Sequence, residues 1–375
     1  MISVPLQDLP FHIEKPTLVV DKNKALNNIK IDAEKMHRSG VRFRPHFKTH
    51  QSAAIGEWFR DFGVTHCTVS SVDMAIYFAE NGWTDITIAF PVNIHQIKQI
   101  DKLAGEITLN VLVESPDVAD VLRSGLSNTV TTWINIDIGH HKAGIDWTKQ
   151  DAILDVARRI HDSGTCTLKG ALTHAGHSYD ERTNDGLVKV YNETIERMNI
   201  VRDRLSESGF HGLEISSGDT PCCSVIEKFS NVDEMRPGNF IFYDLSQREI
   251  GSCTGSEIAL AVACPVVAKQ EDGSELVTYG GAVHLSKDFM QRDDGSFYFG
   301  KLMSWENNGY GDIVENSTLI KIYQEHGIVE VDRTTFESTN VGDFVFIVPV
   351  HSCLSVNELR RYVTTDGEEL VGGGY

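Results

Sequence analysis

The sequence lacks long apolar runs: no stretch approaches the about 18 consecutive apolar residues that a membrane-spanning helix needs. Its first residues, Met1-Ile2-Ser3-Val4-Pro5-Leu6-Gln7-Asp8, also lack the basic and apolar segments of a signal peptide. We therefore expect neither a membrane span nor a secretory leader.

Positive charge is scarce as well. Lysine and arginine total 34 against 53 aspartate and glutamate residues, for a formal net charge of -19. This balance repels phosphate backbones and anionic lipids, which disfavours nucleic acid and membranes as partners. A small anionic cofactor is still compatible with it, because barrel loops and helix N-termini create local positive pockets.

The cysteines do not form the pattern of a disulfide framework. There are seven of them, an odd number at irregular spacing, unlike the paired cysteines of small secreted domains. We expect a cytoplasmic protein.

Apolar and β-branched runs are present in a regular alternation with helix-like segments. This alternation favours an α/β fold with a parallel (β/α)8 TIM-type barrel, although an open parallel sheet fits the same pattern. The chain of 375 residues is long enough for a second domain. The predicted barrel strands are 41–48, 66–71, 85–90, 108–113, 131–138, 167–175, 213–218 and 235–244.

After about residue 250 the helix-like segments become rare, which predicts a mainly antiparallel β-domain. We place the barrel at 16–250 and the β-domain at 251–375, to which residues 1–15 could add one strand. The glycines at 372–374 predict a flexible end. The predicted β-domain strands are 260–269, 275–279, 313–322, 327–331 and 343–349.

Lys48 is the first candidate for chemistry. It ends the first predicted strand, and the carboxyl ends of barrel strands form the face on which such enzymes place their active sites. Among His46, Thr49 and His50, its amine could form a Schiff base with an aldehyde cofactor. A solvated surface lysine is the alternative that the local pattern leaves open.

Two glycine-containing turns are candidates for phosphate binding. Ser217, Gly218 and Thr220 follow the seventh predicted strand, and Gly238 and Asn239 lie in the eighth. Phosphate sites of barrels are found in the loops after strands 7 and 8. A single turn of this kind is commonly no more than a tight turn, but two at these positions support a phosphate site.

Two further segments end predicted strands with polar groups. Lys142, after the fifth strand, could donate to an anionic phenolic oxygen, or its segment could be only a capped turn. Tyr179 follows the sixth strand together with His174 and His177. A lone histidine is usually structural, but several polar rings on one rim favour a site.

His351 and Cys353 follow an apolar run in the predicted β-domain. In an extended chain, residues two apart share a face, so the imidazole and the thiolate could converge on Zn²⁺ or another divalent metal. Two protein ligands would leave positions open for substrate and water. The alternative is a packed cysteine beside a histidine in a turn.

Together these segments resemble the D-serine dehydratase and D-threonine aldolase family, which are alanine racemase-like, fold-type III pyridoxal phosphate enzymes. The resemblance covers most of the chain. Its residues are Pro16-Thr17-Leu18-Val19-Val20-Asp21, Arg44-Pro45-His46-Phe47-Lys48-Thr49-His50, Ser217-Gly218-Asp219-Thr220-Pro221 and His351-Ser352-Cys353.

The resemblance implies that pyridoxal 5'-phosphate is the cofactor and Lys48 the Schiff-base lysine. It also implies phosphate contacts at 217–220 and 238–239, with Tyr179 and Lys142 near the cofactor ring and His46 beside Lys48. Family members often carry arginine where Lys142 stands. A homodimer is a further family-level expectation.

Within the family, D-serine dehydratases carry His-x-Cys and D-threonine aldolases usually carry His-x-Asp. His351 and Cys353 therefore favour a zinc-dependent lyase that dehydrates a small D-β-hydroxy amino acid. Leu354-Ser355 replaces a frequent Pro-Thr, so a substrate of the D-3-hydroxyaspartate type is compatible. The alternatives are aldolase cleavage to glycine and an aldehyde, an amino-acid racemase, and a non-catalytic cofactor carrier.

Overall fold

The protein divides into two compact units. A computed structural model describes the backbone of residues 1–375 and the burial of all of them except Gly273. The barrel unit contains Lys30–Lys48, Phe59–Gly238 and Tyr375, and the β-unit contains Met1–Ile29, Thr49–Trp58 and Asn239–Gly374. The predicted domain boundaries, 16–250 and 251–375, stay a prediction.

Eight parallel strands close into a ring in the barrel unit. The ring is closed where His46 and Thr68 form a parallel bridge, with Phe47 N donating to Thr68 O at 2.8 Å. The predicted barrel is thereby confirmed. Its strands in chain order are Arg42–Phe43, Cys67–Val69, Asp85–Pro91, Thr108–Val113, Val130–Asp137, Cys166–Leu172, Glu214–Ser217 and Glu234–Met235, and Ile145–Asp146 pairs beside the fifth.

The first and eighth barrel strands are shorter than predicted. Each is two residues long and is followed two positions later by a proline, Pro45 or Pro237. Proline has no backbone N–H to extend a ladder. Asn239–Ile241, predicted as strand, is instead a short 3-10 helix.

Helices follow most barrel strands, and several begin at clear capping residues. Ser71 and Ser115 accept hydrogen bonds from the backbone N–H of Met74 and Val118, which satisfies donors that the first helical turn leaves open. In the described part of the chain, no helix has both the length and the apolar character to cross a membrane. The α-helices are Lys22–Ser39, Ala53–Arg60, Val72–Glu80, Ile97–Ala104, Pro116–Gly125, Gln150–His161, Asn184–Glu207, Thr220–Val225, Leu245–Ile250, Ala282–Leu285, Arg333–Ser338 and Ser352–Leu359.

Charged side chains are buried within the barrel unit. The Glu234 carboxylate accepts from Arg42 Nε and Arg44 Nε, both at 2.7 Å, and Arg44 Nη1 also reaches Asp85 at 2.7 Å. Burial opposes ionisation of Glu234, but the two guanidinium groups outweigh it and hold its pKa at about 2. The Ser216 hydroxyl donates to the other carboxylate oxygen at 2.7 Å, so the buried charge is both paired and hydrogen-bonded.

The β-unit contains a sheet of ten strands, six of which close into an antiparallel ring. Ser3–Val4 pairs with Val345 and Phe344 of this ring, so the first residues do contribute one strand. Thr17–Val20 pairs with Leu260–Ala263 and with Arg361–Thr364, which is paired in turn with Glu369–Val371. The ring strands are Leu260–Gln270, Glu275–Tyr279, His326–Glu330, Gly309–Ile322, Gly300–Glu306 and Phe344–Pro349; Met290–Gln291 and Phe297–Tyr298 form a separate hairpin.

Aromatic rings occupy the interior of the β-unit. Trp305 stacks on Phe346 with ring centroids 4.6 Å apart, and Tyr310 packs edge-on against both at 5.8 Å. The strand that carries Trp305, Gly300–Glu306, was not predicted, because Gly300, Lys301 and Ser304 interrupt its apolar pattern.

The C-terminal tail is ordered rather than a flexible end, so that prediction was wrong. Gly372 and Gly373 are buried. Gly372 N donates to Arg360 O at 2.7 Å, and Gly373 N donates to Gln51 O at 2.6 Å. These backbone hydrogen bonds fix the path of the tail.

Candidate functional site

Lys48 lies exposed on a turn whose neighbouring residues are completely buried. Phe47 and Thr49 have no exposed surface, whereas the Lys48 side chain is exposed. Lys48 N donates to His46 Nδ1 at 3.3 Å. The Phe47 ring packs against Phe59, Phe78 and Trp83 at centroid distances of 5.1, 5.0 and 4.7 Å.

The loops after the first, seventh and eighth barrel strands are joined by hydrogen bonds. His46 N donates to Pro237 O at 2.8 Å. Gly238 N donates to Thr220 Oγ1 in a long hydrogen bond of 3.4 Å. The barrel unit thus brings His46, Thr220 and Gly238 together, although they are remote in sequence.

Gly218 allows the seventh loop to lie directly against the eighth. Its φ is +147°, and a Cβ at this position would lie 2.4 Å from Arg236 N. Arg236 N also donates to Ser217 O at 2.9 Å. A side chain at position 218 would therefore separate the two loops.

His174, which the sequence placed on the predicted rim together with Tyr179, is hydrogen-bonded to the seventh loop. Its Nδ1 donates to Gly218 O at 2.9 Å. The surrounding protein atoms, and then the positive charges of Lys48 and Arg236, lower the pKa of His174, while the bond to Gly218 opposes them.

Tyr179 lies beside His174, with ring centroids 6.2 Å apart. Lys142 does not join this group: it is exposed on a bend, and no contact described in the structure connects it to the other predicted residues. Its loop is folded around Asp137, whose Oδ1 accepts from Gly139 N and His141 N at 2.9 and 3.0 Å.

In the β-unit, His351 and Cys353 come together at the start of a helix. The expectation of an extended chain was wrong, because the strand ends at Pro349 and the helix Ser352–Leu359 begins directly after His351. The two side chains nevertheless lie close enough to interact electrostatically. Burial alone would lower the pKa of His351, but the Cys353 sulfur and the Asp244 carboxylate raise it to about 9.

Asp244 contacts His351 of this pair. It was not predicted as a site residue from the sequence. Its carboxylate is fully buried. Oδ2 lies 3.6 Å from His351 Nδ1 and accepts from Ser352 N at 2.9 Å and from Asn239 Nδ2 at 2.6 Å. The Asn239 amide also reaches Cys353 Sγ at 3.8 Å, so the Asn239 side chain belongs to the surroundings of the pair.

Cys353 Sγ also donates to Thr49 Oγ1 at 3.3 Å, and Thr49 is the residue that follows Lys48. Among the described residues, no group of three or more histidine, cysteine, aspartate or glutamate side chains is arranged as a metal site. The His351–Cys353 pair therefore offers two protein ligands.

The chain is similar to several characterised enzymes over nearly all of its length. The D-threo-3-hydroxyaspartate dehydratase of Delftia sp. (strain HT23) is 29% identical over 95% of each chain. The D-serine dehydratase of Dictyostelium discoideum is 28% identical over 92% of this chain and 91% of that protein.

The solved structure of the Delftia dehydratase superposes with a TM-score of 0.90 and 26% identity, covering 98% of this chain and 100% of that one. A cysteine-to-alanine mutant of that dehydratase is solved in a metal-free form.

Two family models match consecutive parts of the sequence. The model of the serine dehydratase domain matches residues 259–365. The model of the alanine racemase N-terminal domain matches residues 20–246. The chain therefore belongs to the family of the alanine racemase N-terminal domain.

Proposed function

We propose that the protein is a pyridoxal 5'-phosphate-dependent lyase that removes water from a D-β-hydroxy amino acid. The enamine product of this elimination hydrolyses to a keto acid and ammonia. The observation that carries the proposal is a set of hydrogen bonds at the rim of the barrel unit. They join the loop that carries Lys48 to the eighth loop and the eighth loop to the seventh, and the seventh and eighth loops are the two predicted phosphate loops. The similarity to dehydratases along the whole chain supports the same reaction.

The residues of the rim fit an aldehyde cofactor that carries a phosphate. Lys48 offers an exposed primary amine on a firmly held backbone. We assign phosphate contacts to Ser217, Gly218, Thr220 and Gly238, where small residues and hydroxyls allow a phosphate to approach the backbone closely. We assign only the backbone of Asn239 to this role, because its side chain is engaged by Asp244.

We retain Tyr179 and His46 as contacts of the cofactor, since both lie in this joined rim. We also retain Lys142 as a contact of the cofactor ring; it lies exposed on its own bend.

The cofactor, when bound, withdraws electrons from Cα and makes the Cα–H bond acidic. Lys48 then acts as the general base, taking this proton on Nζ. Because Gly218 O can only accept, the proton of the neutral His174 ring lies on Nδ1 and Nε2 is left as an acceptor. The lowered pKa of His174 keeps this ring uncharged beside the Lys48 amine.

We propose that His351 and Cys353 hold a zinc ion or another divalent metal. A nitrogen and a sulfur ligand suit zinc, and two protein ligands leave positions open. The ion would supply Lewis acidity toward a β-hydroxyl group. Asp244 orients the His351 ring, as carboxylates commonly do for metal-binding histidines. A structurally similar dehydratase is known as a cysteine-to-alanine mutant in a metal-free form, which is consistent with a cysteine ligand.

Product analysis tests the reaction. We would incubate the protein with D-serine, D-threonine and D-threo-3-hydroxyaspartate, each with and without EDTA. A keto acid and ammonia in equal amounts, lost on chelation, are the expected result. Glycine and an aldehyde would identify an aldolase instead, and interconversion of D- and L-amino acids that survives chelation would identify a racemase.

We further propose that the protein is cytoplasmic, because its seven cysteines are all present as free thiols, which suits a reducing compartment. We also propose that it forms a homodimer. Sedimentation velocity measures the assembly directly, and a monomer at all concentrations would contradict the dimer.

A further inference from the structure

The turn that follows Lys48, Thr49–Ser52, is hydrogen-bonded at every residue to the C-terminal part of the chain. The turn and its partners both lie within the β-unit. The hydrogen bonds join Cys353 Sγ to Thr49 Oγ1 at 3.3 Å, Tyr362 OH to His50 O, Gly373 N to Gln51 O at 2.6 Å and Ser52 Oγ to Val371 O at 2.7 Å.

The backbone of this turn is in a conformation that needs support. Gln51 has a φ of +50°, in the left-handed region that side chains with a Cβ rarely adopt. It is only 5% exposed, and Thr49, His50 and Ser52 are fully buried. Such a conformation persists only where the surrounding contacts determine it. Residues 360–373 supply three of the four hydrogen bonds, those at His50, Gln51 and Ser52, and Cys353 supplies the one at Thr49.

The absence of a side chain at Gly372 allows the C-terminal segment to lie close to Gln51. A Cβ on Gly372 would lie 3.1 Å from Arg360 O and 3.3 Å from Gln51 O. Arg360 Nη1 donates to Gly373 O at 3.1 Å. The tail is therefore held on both sides where it passes the turn.

We infer that residues 360–373 position Lys48 for its cofactor by fixing the turn Thr49–Ser52. This inference rests on the proposed role of Lys48. The peptide bond between Lys48 and Thr49 joins the lysine backbone to this turn, so a fixed turn fixes the direction in which the flexible lysine stem leaves the backbone. Tyr362, Val371 and Gly373 are thus positioning residues that need not touch the cofactor.

Tyr362→Phe is the first test, because it removes the hydroxyl that donates to His50 O and keeps the ring. Tyr310→Phe is the matched control: Tyr310 is buried in the same unit, and its hydroxyl donates to Val19 O at 2.7 Å, a contact that does not involve the turn. We expect Tyr362→Phe to raise the Kd for pyridoxal 5'-phosphate about tenfold. Tyr310→Phe should lower the melting temperature similarly but leave this Kd unchanged.

Truncation supplies a second test that keeps every buried side chain. A chain that ends at Gly372 loses the Gly373 N donor, whereas a chain that ends at Gly374 retains it. Hydrogen exchange read by mass spectrometry should accelerate in peptides covering 48–52 only in the shorter chain, with a parallel rise in Kd for the cofactor.

The outcomes separate the inference from the proposed function. Reductive labelling of wild-type Lys48 by pyridoxal 5'-phosphate and borohydride tests the function, and an unlabelled Lys48 would overturn it. If Lys48 is labelled but the Kd and the exchange of 48–52 are unchanged in both Tyr362→Phe and the shorter chain, the inference is wrong and the function stands. A rise in Kd equal in Tyr310→Phe would also overturn the inference, because it would reflect general destabilisation.

Discussion

The barrel unit and the β-unit assemble their polar groups in different ways. In the barrel unit, His46, His174, Gly218 and Gly238 come from four different strand ends, each a short step beyond its strand. In the β-unit, His351 and Cys353 come from one helix start, and their support comes from Asp244, more than a hundred residues earlier. Parallel strand ends meet at one rim by topology alone, whereas the β-unit pair depends on long-range contacts with Asp244, Asn239 and Thr49.

The interiors differ as well. The barrel unit buries the charges of Arg44 and Glu234, while the β-unit packs Trp305 against Phe346. A paired buried charge is highly sensitive to the loss of its partner, whereas aromatic packing responds to volume and shape. Variants in the two units should therefore fail in different ways.

Lys48→Ala should have the largest effect. We expect the rate of keto-acid formation to fall by about 10⁴-fold, the upper end of a general-base contribution, because the base and the attachment point of the cofactor are lost together. Absorbance of the bound cofactor and a coupled keto-acid assay measure the two losses. Lys189→Ala, at a solvent-exposed lysine of the same unit, is the control, and a cofactor band that persists in Lys48→Ala would refute the assignment.

Glu234→Gln should destabilise the barrel unit by about 3–5 kcal/mol, because it leaves the buried guanidinium group of Arg44 and the partly buried one of Arg42 without their shared carboxylate. Chemical denaturation gives the size of the loss. Hydrogen exchange should locate it in the barrel unit, and protection lost equally in peptides of the β-unit would contradict the contrast between the two interiors.

Asp244→Asn should act on the β-unit alone. We expect metal affinity to fall by about 10–100-fold, as is typical when the carboxylate behind a metal-binding histidine is removed. The absorbance of the cofactor bound at Lys48 should be retained. Competition with a zinc chelator measures the affinity; unaltered affinity would show that Asp244 does not orient His351.

The last expected effect is a pH dependence that has opposite signs at two buried carboxyl groups of the barrel unit. Burial raises the pKa of Asp32 from 3.8 to about 6 despite the nearby Lys35, so its contribution to stability is lost as pH rises from about 4 to 6. Glu234 has its pKa lowered from 4.5 to about 2, so its contribution is lost as pH falls through that range.

Denaturation midpoints of Asp32→Asn against pH test this difference. Between pH 4 and 6 the variant should lose less stability than the wild type as pH rises, because asparagine does not ionise. A steeper loss in the variant would contradict the assignment to Asp32.

Much of the fold was predictable from the sequence because the strand and helix patterns alternate with a clear period. The eight parallel strands were all predicted, and the rim followed from their ends. The strand Gly300–Glu306 was missed, because it is stabilised by pairing with a strand on each side rather than by the local strand propensity of its residues. The position of Thr17–Val20 in the sheet of the β-unit also depends on long-range pairing.

The candidate site divides in the same manner. Lys48, Gly218 and Thr220 were predicted because each lies at or shortly after the end of a predicted strand. The supporting role of Asp244 and the anchoring of the tail at Gln51 were not predicted. Both depend on contacts between segments far apart in the chain, for which a single sequence carries no local signal.

The packing of Trp83 against Phe47 has a consequence for optical measurements. Trp83 is fully buried, and its indole lies 4.7 Å from the ring of the residue that precedes Lys48. A chromophore attached to Lys48 would accept excitation energy from this indole, so that tryptophan emission falls as the cofactor binds. The intrinsic fluorescence of Trp83 thus reports cofactor occupancy without a substrate or an added dye.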